Sequence, residues 1–219
     1  MTIIFVVLAA YLIGSVPNGY LIIKLLKGQD LTKMGSGRTG ATNAMRAGGL
    51  GVGIITAALD ALKGAVAIVL ARSLISQSQG DFQSLNLFSI SSLPWVEAAV
   101  AVAAVIGHNW SIYIRFHGGA GTGPNVGAAI ALFPFSALIL IPFVPIVLFG
   151  TGYASVASLS TALLIPILFA LAAYWGWTAW VYVAYGIATF CIVTWSLRPN
   201  IKRLLAGEER MVGPRAKRR

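Results

Sequence analysis

Residues 35–49 read GSGRTGATNAMRAGG, and the fold follows from finding such an island between two long apolar runs. It contains five glycines, the hydroxyls of Ser36, Thr39 and Thr42, the amide of Asn43 and the cations Arg38 and Arg46, with no carboxylate. Glycines let backbone N–H groups approach an oxyanion, and arginine offers a planar donor fork suited to phosphate or carboxylate. The plainer alternative is a connector that is glycine-rich because it turns and basic because cytoplasmic loops of membrane proteins are basic. Outward from the island, residues 3–26 and 51–75 each approach or exceed the roughly 20 apolar residues that a spanning helix needs.

The whole chain repeats this pattern. Of 219 residues, 58% are hydrophobic and 10% charged, against roughly 25% charged in soluble domains, so an all-α integral membrane protein is predicted. The net charge of +10 does not point to nucleic acid, because the cations sit in a few loops and a tail between apolar spans. There they orient the chain and meet anionic lipid or substrate. Cys191 is the single cysteine, so an internal disulfide is excluded. The first apolar run has no basic n-region and no cleavage site, and reads as a retained helix.

In chain order, the first helix is interrupted at Gly14-Ser15-Val16-Pro17-Asn18-Gly19, where Ser15 and Asn18 are expected to face inward. Lys24, Lys27, Lys33, Arg38 and Arg46 then face only Asp30, which makes this loop cytoplasmic and puts the N-terminus outside. A second helix over 51–75 carries Asp60 and Lys63 on one face, either as a packing ion pair or as part of a site. Residues 76–94 hold no lysine or arginine and read as an external loop. A short third helix over 95–106 leads to His108, Asn109 and Trp110, and 113–116 can lie along the interface. Residues 118–127, GGAGTGPNVG, place five glycines in ten positions, a composition that disfavours helix and must be buried in protein or line a wet cavity.

Proline breaks the apolar stretch 128–149 at Pro134, Pro142 and Pro145, and a small polar patch with Ser155 and Ser158 follows. Two further spans cover 161–175 and 177–195, ahead of a tail with eight lysines and arginines against Glu208 and Glu209. An outside N-terminus and a basic, inside C-terminus require an odd number of crossings, whereas hydropathy finds six segments. Letting 128–149 turn back as two short helices gives about seven transmembrane or half-spanning helices. It also returns the polar patch to the side of the glycine loops, and sets Tyr174, Trp175, Trp177 and Trp180 at the outer interface. The membrane domain is taken as 1–197 and the basic cytoplasmic tail as 198–219.

Three small polar stretches on one membrane face describe a site that holds a phosphate at the interface while an amphipathic substrate enters from the bilayer. No zinc spacing, Walker sequence or nucleotide fingerprint is present, and neither a metal nor a cofactor is expected. None of the three stretches contains a carboxylate, so a hydrolase triad is poorly supported. Anion binding and placement favour transfer of an already activated group.

Six stretches in order and at matching spacing carry a family resemblance: GSVPNGYLI at 14–22, the island at 35–49, DALKG at 60–64, GHNWSIYIRFHGG at 107–119, GYASVAS at 152–158 and NIKRLLAGEE at 200–209. The chain resembles the bacterial acyl-phosphate:glycerol-3-phosphate acyltransferases, the PlsY family, as a divergent member. The resemblance implies a seven-helix enzyme of the bacterial inner membrane with its site open to the cytoplasm. Such an enzyme takes acyl phosphate and glycerol 3-phosphate to lysophosphatidic acid and phosphate, with membrane lipids around it and, as an open matter, an acyl-phosphate-producing enzyme as partner.

It assigns phosphate and hydroxyl recognition to Ser36, Asn43 and Arg46, and an anion-holding backbone to Gly118, Gly119 and Gly121. Ser155, Ser158 and Asn200 donate to the same anion, and Thr42 and Arg38 complete the expected set, with Ser36, Arg46 and Ser155 nearest the chemistry. The family phosphate itself takes the hydroxyl proton, which suits a site without a base. Two positions depart from the family pattern. The family's glycine loop carries a lysine where this chain has Ala120, and its tail motif a histidine where this chain has Leu197. A buried cation missing from a phosphate pocket costs about 2–5 kcal/mol of binding unless replaced. Arg38, Arg115 and His117 are the candidate replacements. Another acceptor, or lipid or phosphate binding without turnover, are the alternative readings.

Overall fold

The computed structural model describes residues 2–82 and 93–212. Most of the loop expected at 76–94 and the tail cations Arg215, Lys217, Arg218 and Arg219 lie outside the described residues. The described chain is helical throughout. Its helices are α1 (Thr2–Ser15), α2 (Asn18–Lys27), α3 (Ala41–Gly48), α4 (Leu50–Phe82), α5 (Leu93–Asn109), α6 (Thr122–Leu132), α7 (Ala137–Thr151), α8 (Ala154–Tyr174), α9 (Val181–Ser196) and α10 (Arg198–Leu205). Four stretches are long and apolar enough to cross a membrane, Ile3–Lys27, Leu50–Ser76, Pro134–Thr151 and Ala154–Tyr174. The pair α9 and α10, bent by 63°, makes a fifth if taken as one span, and α5 is a shorter apolar helix. The protein is a multi-pass helical membrane protein.

Pro17 separates α1 from α2 because it has no N–H to continue the ladder. The break leaves the Val16 carbonyl to accept a hydrogen bond from Lys63 Nζ at 2.7 Å. Both polar residues of this interruption turn inward as expected: Ser15 is buried, and Asn18 Nδ2 donates to Asp60 at 3.0 Å. The side chains of Tyr11 and Ser111 tie α1 to the end of α5, donating to the Trp110 carbonyl at 2.9 Å and the Ser15 carbonyl at 2.5 Å.

The second glycine-rich stretch is where the structure differs most from expectation. Residues 122–127, expected to be irregular, open helix α6, with Gly121 in the left-handed region at φ 91° as its N-cap. The glycines serve the approach of α6 to α4. A Cβ on Gly127 would stand 1.7 Å from the Ala61 carbonyl oxygen, and one on Gly64 would stand 2.1 Å from that of Pro124. Where lipid offers no hydrophobic drive between helices, such close backbone contact supplies the packing energy. Tertiary contact therefore overrides the low helix propensity of glycine.

The chain leaves α6 at an extended Phe133, and Pro134 starts the run into α7, so the apolar stretch 128–149 does divide into two helices. α7 packs mainly on α8 and buries only Leu140. α4 continues helically to Phe82, past the expected end at residue 75. α8 begins at Ala154 and so includes Ser155 and Ser158 in a helix. At the far end from the polar loops, Arg72 Nε donates to Glu97 at 2.5 Å and Arg72 Nη1 to the Ala131 carbonyl at 2.9 Å, while the Tyr182 hydroxyl donates to the other Glu97 oxygen. This cluster clamps α4, α5, α6 and α9. Hydropathy gave no sign of it, because two lone charges in apolar runs do not reveal each other as partners.

Candidate active site

The two glycine-rich loops meet. Thr39 N–H donates to the Gly118 carbonyl at 3.2 Å, and Arg38 Nη1 to the Gly119 carbonyl at 2.8 Å. Asn43 shapes the first loop from inside. Its Oδ1 accepts from Ser36 N–H at 3.0 Å, and its Nδ2 donates to the carbonyls of Met34 at 3.0 Å and Arg38 at 2.8 Å. Gly35 must be glycine there, since it sits at φ 54° and a Cβ would fall 2.2 Å from Asn43 Oδ1. The amide of Asn43, expected to contact phosphate, is thus spent on the loop that presents Ser36 and Arg38.

A cavity of about 680 Å³ opens beside these loops. Of the residues expected in the site, Ser36, Arg38, Thr42, Asn43, Arg46, Ser155, Ser158 and Asn200 line it; Gly118, Gly119 and Gly121 do not, their places on the wall being taken by Ala120, Thr122 and Gly123. The physical reason is that the glycine loop is pressed onto the end of α5. Gly119 N–H donates to the His108 carbonyl at 2.9 Å, and a Cβ on Gly119 would lie 2.0 Å from His108 Nε2. What faces the cavity instead is the start of α6, whose N–H groups at Thr122 and Gly123 lie outside the helix ladder and carry the positive end of the helix dipole. The Thr122 hydroxyl donates to Ser158 Oγ at 2.7 Å, holding α8 against this helix start.

Two carboxylates also line the cavity, correcting the expectation of a site without them. Glu209, buried, accepts from Asn200 Nδ2 at 2.8 Å, Ser155 Oγ at 3.2 Å and Arg203 Nε at 3.0 Å. The chain after α10 carries it in as a strap: Val212 N–H donates to the Gly152 carbonyl at 2.8 Å, and Arg46 Nη2 donates to the Arg210 carbonyl at 3.2 Å. The residues expected to form a separate tail from 198 therefore pack back on the site as far as Val212.

Asp60 is the other carboxylate. Lys63 Nζ lies 3.0 Å from it and 2.9 Å from His108 Nδ1. An ammonium only donates, so Nδ1 is the acceptor and the ring proton is on Nε2. Asp60, Lys63 and His108 are all buried, each charge met by the other, and they fix α4 against α5 and the α1–α2 break. The sequence placed Asp60 and Lys63 on one face but left His108 as a lone interfacial residue. Thr122, Arg203 and Glu209 lie in stretches the sequence singled out but were given no role there.

Four arginines, Arg38, Arg46, Arg203 and Arg210, thus face two carboxylates around one cavity. Burial pulls the Arg38 guanidinium below its usual pKa, nearby Arg203 adds to this and Glu209 opposes it. Arg46 is lowered too, first by desolvation, with Glu209 opposing and Arg210 adding. Both remain cations at any physiological pH, since arginine does not lose its proton in proteins. Of the three candidate replacement cations only Arg38 lines the cavity, whereas Arg115 and His117 are exposed on the turn after α5. Among the described residues, no three His, Cys, Asp or Glu side chains gather as a metal site.

The family model described as glycerol-3-phosphate acyltransferase matches residues 4–207. The chain belongs to the glycerol-3-phosphate acyltransferase family. Similar members include the glycerol-3-phosphate acyltransferases of Rubrobacter xylanophilus, 36% identical over 97% of this chain and 96% of that one, and of Thermus thermophilus, 36% identical over 99% and 98%. Among solved structures, the glycerol 3-phosphate form of PlsY, an integral membrane glycerol 3-phosphate acyltransferase, superposes with a TM-score of 0.78 at 31% identity over 97% of this chain and 96% of that one. A second PlsY structure, the lysophosphatidic acid form, gives a TM-score of 0.75 at 29% identity. This acyltransferase is therefore an enzyme of that family, and in its own fold five of the six sequence motifs contribute residues to one cavity.

Proposed function

We propose that the acyltransferase moves a fatty acyl group from acyl phosphate to glycerol 3-phosphate, forming 1-acyl-glycerol 3-phosphate and releasing phosphate. The observation that carries this reading is the two-sided cavity. Its polar end holds the four arginines, the serines and the start of α6. Its apolar end lies between α4 and α7, where Ile54 and Ile141 line the wall and also keep 59% and 61% of their surface exposed. A cavity open sideways to the hydrocarbon can admit an acyl chain directly from the bilayer while the phosphates stay at the interface.

In the reaction, the acceptor hydroxyl oxygen bonds to the acyl carbonyl carbon, the bond from that carbon to the phosphate oxygen breaks, and phosphate leaves with the hydroxyl proton. Arg46, Ser36 and Thr42 are assigned to the charged groups of the substrates. Ser158 and Asn200, each with a donor left over, are assigned to the anion that develops, beside the first N–H groups of α6, where preorganised donors act best, and Ser155 joins them when its hydroxyl turns from Glu209 to that anion. Because the leaving phosphate can take the proton, no side chain has to act as base. The buried Asp60, Lys63 and His108 network then serves to hold α5 and the glycine loop in place.

Phosphate release by purified protein in lipid, given palmitoyl phosphate with and without glycerol 3-phosphate, tests this. Turnover is expected only when both are present. No release with any polyol phosphate would leave a binding protein with the family fold. The cavity is further assigned to the cytoplasmic side, with the N-terminus outside and seven membrane elements, α6 counted as a half-span. A reporter fused after Arg219 should then be cytoplasmic, and an external reporter would sink this orientation.

A further inference from the structure

We propose that Arg38 holds a substrate phosphate in this chain, beside the cavity wall made by Ala120 and Leu197 and braced from behind by Gly119 and Ser196. The inference rests on the cavity being the substrate site, as read above. Arg38 Nη1 donates to the Gly119 carbonyl at 2.8 Å and Ser196 Oγ at 3.0 Å, and Nη2 to the Ser196 carbonyl. These bonds fix the guanidinium and use three of its five N–H groups, leaving Nε–H and one Nη2 N–H.

All three acceptors are neutral. The ion pairs among the described residues join Lys63 to Asp60, Arg72 to Glu97 and Arg203 to Glu209, so half-buried Arg38 belongs to none of them and only Glu209, through space, offsets its charge. Burial with so little charge compensation is unfavourable, and an anion entering the cavity offsets it.

The neighbours leave this task to Arg38. Ala120 follows Gly119 and Leu197 follows Ser196, and both side chains line the cavity and pack together with Ala162 and Val193 in an apolar cluster. Neither of those two side chains can donate to an anion, and the Ser196 hydroxyl behind them, whose oxygen accepts from Arg38, does not line the cavity. Arg46, on α3 just after that loop and bonded to the Arg210 carbonyl, is tied to a different part of the wall. The loop and the helix that follows it thus present two guanidinium groups at two places, which suits a reaction whose donor and acceptor both carry a phosphate.

Steady-state kinetics in both substrates on Arg38→Ala, Arg38→Lys and the double variant Arg38→Ala with Ala120→Lys tests the assignment. Arg38→Ala is expected to raise KM for one phosphate substrate by about tenfold or more. A rise for glycerol 3-phosphate puts Arg38 on the acceptor, and a rise for acyl phosphate puts it on the donor. A lysine at 120, one residue from the carbonyl that Arg38 grips, is expected to recover most of the loss. If Arg38→Ala does not fold, Arg38→Lys carries the test, because lysine keeps the charge but not the fork, and KM should still rise. Unchanged KM for both substrates overturns the proposal, whatever happens to kcat or the unfolding temperature, since a mere brace would change only those. If the unaltered protein shows no turnover, the functional reading fails separately. Inorganic phosphate should then still raise the unfolding temperature of the unaltered protein and not of Arg38→Ala, and equal shifts would overturn the role of Arg38.

Discussion

Arg46→Ala is expected to lower kcat/KM for acyl transfer about 10²- to 10³-fold, the usual loss when one preorganised donor to developing charge is removed. Arg46 stands on α3, lines the cavity, makes no ion pair, and has one hydrogen bond to a carbonyl of the C-terminal strap. Its side chain is exposed, so truncating it leaves no buried side chain unsatisfied and should hardly alter folding. The loss should appear only with substrate bound, when water is displaced and the guanidinium meets phosphate. A charge-assisted hydrogen bond of that kind contributes about 1.5–3 kcal/mol, and bidentate contact more. Phosphate release measured beside a thermal unfolding scan separates the two effects. Full activity in the variant would remove Arg46 from the site.

Gly127→Leu is expected to yield no folded protein, while Gly51→Ala, in the first turn of α4, should leave expression and unfolding temperature nearly unchanged. A Cβ at 127 would stand 1.7 Å from the Ala61 carbonyl oxygen, a backbone atom that cannot rotate away, whereas a Cβ at 51 meets nothing within 4 Å. Separating α4 from α6 to make room would exceed the roughly 1–3 kcal/mol of ordinary overpacking. It would also move the start of α6 away from Ser158 and open the cavity wall. At 51, alanine carries less conformational entropy into the unfolded state than glycine and so is harmless. Size-exclusion behaviour in detergent and the unfolding midpoint report both outcomes. A monodisperse, stable Gly127→Leu protein would mean that the α4–α6 contact is not required.

These two positions show how differently the sequence can be read. Arg46 was singled out because its chemistry is local, a cation in a glycine-rich island free of carboxylates, and it does line the cavity. Gly127 was legible only as an oddity, in a stretch whose glycine density disfavours helix and which the structure nevertheless folds as one. What decides there is a neighbour 66 residues earlier in the chain, the carbonyl of Ala61. Glu209 shows the same limit from the polar side. In the sequence it is one of two acids in a basic tail, with no partner assigned, and the strap after α10 brings it 3.2 Å from Ser155 and 2.8 Å from Asn200.

By itself the sequence determined that the protein lives in a membrane, roughly where its apolar spans lie, and which stretches between them are small, polar and basic. Composition, hydropathy runs and the order of six motifs are all properties of neighbouring residues, and solvent transfer acts on them locally. Only the tertiary structure decided which of those groups face one cavity and which are spent on holding it. Asn43 braces the first loop, the glycines of 118–121 let the second lie on His108, and Arg38 makes no ion pair among the described residues, beside a wall that carries Ala120 and Leu197. Such roles depend on hydrogen bonds and backbone approaches across dozens of residues, and no one-dimensional pattern encodes the distance that makes or breaks them.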